Sequence, residues 1–160
     1  MAFDSKLQRK IMGRFATGVT VVTTDGTGGK GGLTANAVAS LSLDPPLVLV
    51  AVDKRAHSYA EIKANGCYAV NILSLEHEVV SQRFATPGLK EFSEFKWKTA
   101  VTGAPILEGA LGYLDCRLRE ILPGGDHDIF VGEIMAGEAR EDGEPLLYFS
   151  GKYRKLTDAP

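Results

Sequence analysis

Apolar and polar positions change their period several times along the chain, and each change predicts an element. Near the start Leu7, Ile11 and Phe15 recur at helical spacing with Lys6, Arg9 and Lys10 between them, so a short amphipathic helix is expected behind Asp4 as its cap. Gly13 and Gly18 bracket its exit. Residues 19–24 are β-branched throughout and residues 25–32 are glycine-dense, a combination that predicts a hairpin leading into a second extended segment. In that segment Leu33, Ala35, Ala37, Ala39, Leu41 and Leu43 occupy odd positions, while Thr34, Asn36, Ser40 and Ser42 occupy even ones. A period of two predicts one apolar face and one hydrogen-bonding face.

Asp44, Pro45 and Pro46 break the chain before residues 47–52, whose unbroken apolar character fits a strand buried on both faces. Ser58 followed by Glu61 has the spacing of a capping box, with Tyr59 and Ile62 as apolar contacts and Gly66 as the helix stop. Residues 67–73 again read as a strand. Ser74 is expected to cap a helix with Glu76 and Glu78 at its positive end and Leu75, Val79, Val80 and Phe84 as its buried stripe, stopped by Thr86, Pro87 and Gly88. The last third reads as extended segments 111–122 and 129–138, turns at 123–128 and 141–145, and a final pair around Tyr148 and Tyr153. Strands outnumber the short helices and do not alternate with them. The pattern therefore predicts a mainly β (α+β) chain, a closed or nearly closed antiparallel barrel with peripheral helices, and not a Rossmann fold.

Composition adds bounds. With 160 residues, 44% of them apolar and 24% charged, the chain is expected to form one domain over residues 1–160 with its own core. A net charge of −2 from 18 basic and 20 acidic residues spread along the chain offers no broad basic face for nucleic acid. The apolar run 47–52 is too short to cross a bilayer, and residues 1–13 lack the apolar stretch of a secretion signal, so no membrane contact and a cytoplasmic location are expected. Cys67 and Cys116 lie in apolar strand-like stretches without metal-ligand spacing and are expected as buried thiols.

Gly26, Gly28 and Gly31 satisfy G-x-G-x-x-G, but they lead into a period-two strand and not a helix, so the glycines are assigned to a hairpin turn. A stronger signal is the polar face at Thr34, Asn36, Ser40 and Ser42 with Asp53, Lys54, Arg55, Ala56, His57 and Ser58 further along. Small alanines beside hydrogen-bonding side chains suit the edge of a flat heterocycle, while Lys54, Arg55 and helix-start amides suit a phosphate. The alternative is a solvent-facing strand edge and then an ordinary capped helix. No nucleophile with an adjacent base and no carboxylate pair at a strand end is visible, so hydrolytic chemistry lacks its parts. In Asp126, His127 and Asp128 a nicotinamide contact, plain turn chemistry and a metal site remain open, metal being the weakest because neighbouring residues on an extended turn point apart. His57 could touch a phosphate or simply be exposed, His77 is expected to be solvated, and Trp97 to anchor a loop or subunit contact.

Taken in order, residues 15–23, 34–42, 44–46, 67–71 and 125–133 resemble the short-chain flavin reductases over about Phe15 to Leu156. The resemblance implies a flavin-binding split β-barrel, Greek-key-like and homodimeric, which passes hydride from NADH or NADPH to FMN or FAD and hands reduced flavin to a separate monooxygenase. It places Thr34, Ala35, Asn36, Ser40 and Ser42 around the flavin ring and ribityl chain, Lys54 and Ser58 at its phosphate with Asp53 beside them, and Arg83, Phe84 and Ala85 along the flavin. His127 matches a histidine near the nicotinamide, and Tyr148 and Tyr153 either border the ligand or fill the barrel rim. No metal is implied. Two other readings stay open: a flavoprotein that keeps its FMN and reduces another acceptor such as a corrinoid or quinone, and a non-catalytic flavin or haem binder.

Overall fold

The computed structural model describes residues 2–157. Its strands are β1 (Thr17–Gly18), β2 (Thr20–Thr24), β3 (Gly31–Ala35), β4 (Val38–Leu43), β5 (Pro46–Asp53), β6 (Cys67–Ile72), β7 (Trp97–Lys98), β8 (Ile106–Leu107), β9 (Gly112–Gly124), β10 (His127–Ala139), β11 (Leu147–Phe149) and β12 (Lys152–Arg154). The helices are α1 (Ser5–Met12), α2 (His57–Asn65) and α3 (Glu78–Ala85). Seven strands form one antiparallel sheet in the order β3-β2-β6-β9-β10-β5-β4. Its two edges, β3 and β4, are neighbours in the chain. Only Asn36 and Ala37 separate them, and the Ala51 amide donates to the Ala37 carbonyl at 3.0 Å, so the sheet curls into a barrel that is split at this corner.

The interior is filled by every second residue of the strands, including Val22, Val48, Val50, Val52, Tyr68 and Phe130, with Ile62 of α2 plugging one end. Each such side chain contributes about 1.5–3 kcal/mol on burial. The Tyr68 hydroxyl donates to the Phe130 carbonyl at 3.1 Å, and burial pushes this phenol well above the usual tyrosine range. A second cluster, with Val21, Leu73, Val80, Phe84, Phe92 and Leu146 at its centre, packs α3 and the loop after it onto the other face of β2. There Trp97 anchors the loop, as expected: its indole donates to the Phe92 carbonyl at 2.8 Å, and its ring lies 5.0 Å from Phe92 and 5.7 Å from Phe84. Cys67 and Cys116 are free and buried, the Cys116 thiol pushed up to about 12 by burial.

Several local expectations are corrected. The second extended segment is not one period-two strand: it breaks at Asn36–Ala37 and shifts register between Ser40 and Ser42. Turning from one sheet edge to the other reverses which face is inward, so Leu41 and Leu43 stand 47% and 91% exposed. β5 alternates buried Val48, Val50 and Val52 with half-buried Leu47, Leu49 and Ala51, because its second face has no layer over it. Ser58 does not cap α2; Ala56 occupies that position, and Ser58 is buried in the first turn. Ser74 caps a single 3₁₀ turn, Leu75–His77, ahead of α3, through a box closed by His77. His77 is therefore half-buried and bonded to the Ser74 hydroxyl at 2.9 Å, not solvated, and its basicity is lowered mainly by burial. Val79 is exposed. Asp4 caps α1 as expected, but Phe15 lies beyond the helix, and Leu7, Ile11 and Met12 remain exposed. No helix among the described residues is long and apolar enough to cross a membrane.

Candidate active site

A cleft of about 630 Å³ opens between the start of α2 and the end of α3, within the range of small-molecule sites. Its floor is Gly32, Leu33 and Thr34 of β3, a stretch without a charged side chain. One wall is Asp53, Arg55, Ala56, His57 and Ser58; the other is Phe84 to Gly88 with Lys90. Thr34 and Ala85 also belong to a side pocket of about 230 Å³, completed by Val19, Asn36, Ser81, Tyr148 and Tyr153. Thr34 is fixed by donating to the Ser81 carbonyl at 2.6 Å, and Tyr153 meets the Ser81 hydroxyl at 2.7 Å, so α3 and β12 are tied to the same strand. The Tyr148 and Tyr153 rings meet edge-on at 5.6 Å.

The α2 end of the cleft is suited to an anion. No side chain caps this helix, so although the Tyr59 amide is taken by the Ala56 carbonyl at 3.0 Å, the helix start at His57 and Ser58 lines the cleft without a capping side chain. Arg55 stands beside them, gripped by Asp53 through a backbone bond of 2.8 Å and guanidinium bonds of 3.2 and 2.9 Å. That grip holds the Asp53 carboxyl well below the usual carboxylate range and raises Arg55 further. Lys90 donates to the Thr86 carbonyl, and burial lowers its basicity. Behind the wall Glu61 is buried, its Oε2 has no hydrogen-bond partner, and desolvation raises its pKa, with His57 at 3.6 Å and Lys90 opposing the rise.

Of the residues expected from the sequence, the cleft and its side pocket bring together Thr34, Asn36, Asp53, Ser58, Phe84, Ala85, Tyr148 and Tyr153. Others lie elsewhere. Ala35 is in the barrel core, and Ser40 and Ser42 are on β4, outside both linings. Arg83 points away and pairs with Glu94 at 3.1 Å. Lys54 is bound to the β9–β10 turn, not to the cleft wall. His127 begins β10 opposite Asp53, half exposed, with Nδ1 2.7 Å from Asp126 Oδ1. Sequence reasoning missed Lys90, whose only signal was a cation two residues past the Pro87-Gly88 stop. Among the described residues no cluster could hold a metal ion.

These residues fit a flavin nucleotide: a helix start without a capping side chain and cations for the phosphate, and an uncharged floor for the ring. The comparisons agree. The family model described as "Flavin reductase like domain" matches residues 12–157. The chain is 41% identical over 150 residues to "FMN reductase (NADH) RutF" of Agrobacterium fabrum, covering 92% of this chain and 86% of that protein. It is 37% identical over 153 residues to "Flavin-dependent monooxygenase, reductase subunit HsaB" of Rhodococcus jostii, covering 95% and 78%. A solved structure of the Streptomyces globisporus NADH:FAD oxidoreductase SgcE6 with NAD and FAD fragments superimposes with a TM-score of 0.90 at 35% identity, covering 98% of this chain and 97% of that one. With its split barrel, its cleft and these matches, the chain belongs to the flavin reductase-like family.

Proposed function

We propose that the protein is an NAD(P)H:flavin oxidoreductase, a single domain over residues 1–160, that moves hydride from NADH or NADPH to FMN or FAD and supplies reduced flavin to a separate monooxygenase. The observation that carries this reading is the cleft, which pairs an uncapped, cation-flanked helix start with an uncharged floor between two walls. When both nucleotides are bound they supply the reacting atoms themselves, hydride passing to the flavin ring. The protein's task is placement. Ser58, Arg55 and Lys90 hold the phosphate, Thr34 and the α3 end from Phe84 to Ala85 align the ring, Tyr148 and Tyr153 border its far side, and His127, outside both linings but paired across the sheet with Asp53 of the cleft wall, meets the nicotinamide. The open cleft suits a flavin that leaves after reduction, with a dissociation constant near ~1 μM.

The reading extends to a homodimer and a cytoplasmic location. Exposed Leu41 and Leu43 on edge strand β4 support the dimer, since a sheet edge carrying large apolar groups is a surface that soluble proteins cover. Mixing the protein with each nicotinamide and each flavin, and following loss of the reduced nicotinamide, tests the activity. Consumption that scales with added flavin is expected. Nicotinamide consumption that ignores added flavin would favour a retained prosthetic group, and none at all would leave a flavin binder. Sedimentation equilibrium tests the dimer.

A further inference from the structure

Lys54 is the residue the sequence assigns to the ligand phosphate, and its surroundings assign it elsewhere. Its backbone amide donates to the Asp126 carbonyl at 3.1 Å and its ammonium to the Gly125 carbonyl at 2.7 Å, so one residue holds both carbonyls of the turn between β9 and β10. The same ammonium lies 3.3 Å from Oδ1 of Asp128, whose Oδ2 accepts the Tyr59 hydroxyl at 2.6 Å. Tyr59 stands in the first turn of α2 with its ring edge-on to Phe130 at 5.1 Å. Asp128 is only 8% exposed, and the Tyr59 hydroxyl, then Lys54, hold its carboxyl below the usual range. A buried carboxylate with one oxygen held by a hydroxyl and the other, free of hydrogen bonds, facing an ammonium at 3.3 Å is a stiff link, because moving either partner strands a desolvated charge. One end of this link is the anion wall of the cleft. The other is the strand that begins with His127.

We propose that Lys54, Asp128 and Tyr59 are positioning residues that clamp the His127 turn to the start of α2, and so set where His127 stands beside the cleft. Lys54 is then committed to the turn and not to a phosphate. The inference rests on the reading of His127 as the nicotinamide-side residue. Lys54→Met and Tyr59→Phe test it, the second removing one oxygen so that folding is spared. Dissociation constants for FMN and riboflavin, which lacks the phosphate, are measured with the nicotinamide KM and kcat. Each variant should raise the nicotinamide KM about tenfold and leave the FMN-to-riboflavin affinity ratio unchanged, and Lys54→Arg should restore most of the loss. With His127→Gln already present, Tyr59→Phe should add a factor of less than about two, because the clamp acts through His127. A collapsed affinity ratio with an unmoved KM in Lys54→Met would return Lys54 to the phosphate and overturn the proposal. If His127→Gln raises KM and Tyr59→Phe does not, the clamp alone is wrong; if His127→Gln itself has no effect, the reading of His127 falls with it.

Discussion

Two hairpins flank the cleft, both rich in glycine, and glycine serves a different purpose in each. The β2–β3 hairpin carries the pattern that imitates a dinucleotide loop, yet Gly31 and Gly32 are there for closeness, with Gly29 alone needed for a φ of +99°. A Cβ on Gly31 would lie 1.5 Å from Glu61 Oε2, and one on Gly32 would lie 2.8 Å from both the Val22 carbonyl and the Phe84 ring. Asn65 of α2 ties the loop down, accepting from the Gly28 amide at 2.7 Å and donating to the Gly29 carbonyl at 2.8 Å. In the β9–β10 hairpin Gly125 has open space around its α-carbon and is needed for its φ of +84°, at the first central position of a two-residue turn. The first hairpin packs; the second, under the clamp proposed above, aims His127.

Substitution by alanine separates the two purposes. Gly32→Ala should have the largest effect, about 2–3 kcal/mol of stability, since a backbone carbonyl and a packed ring must both move; a chemical denaturation midpoint would record it. Because Gly32 also floors the cleft, flavin affinity should fall with it. Gly125→Ala should cost about 1–2 kcal/mol from left-handed strain, with a rise in nicotinamide KM that stability does not explain. A Gly125→Ala protein with parental nicotinamide kinetics would show that the turn does not aim His127.

Legibility in the sequence divides along the same line. Strand positions, the α1 cap at Asp4 and the rejection of the glycine decoy come from periodicity and from the strand that succeeds the loop, which are local properties. The barrel itself is readable because strands dominate without regular helical alternation. The features that escape are set by partners distant in sequence. The reversal of faces at Asn36–Ala37 depends on which strands lie at the two edges, and no local pattern reports that. Charge and nearness to a helix start point Lys54 at a phosphate, whereas its partners Gly125 and Asp128 come from a hairpin some seventy residues on. Polar neighbours make His77 read as solvated, and the Ser74 box that buries it exists only once the turn is formed. Resemblance to a family points to Thr34, Phe84 and Tyr153, which the structure places at the cleft and its side pocket, and it supplies the reason two of them meet: Ser81 binds both Thr34 and Tyr153.

The smallest expected effect compares the acids beneath the two hairpins. Glu61 lies against Gly31 with Oε2 unpartnered and its pKa raised; Asp128 lies under the other turn with Oδ2 bonded to the Tyr59 hydroxyl, Oδ1 free of hydrogen bonds but ion-paired to Lys54 at 3.3 Å, and its pKa lowered. A raised carboxyl pKa means that stability is complete below the unfolded value and is lost as pH rises through the folded one; a lowered pKa means the reverse. Glu61→Gln should therefore stabilise the protein near neutral pH by about 1 kcal/mol, or roughly 2–4 °C in Tm, because the amide need not carry a buried charge. That advantage should vanish in acid, where Glu61 is already protonated. Asp128→Asn should behave oppositely, destabilising at neutral pH and converging on the parent as acid protonates Asp128. Parallel Tm-against-pH curves for the two variants would mean that both acids experience one environment, and the distinction between a packing hairpin and an aiming hairpin would then lose its electrostatic half.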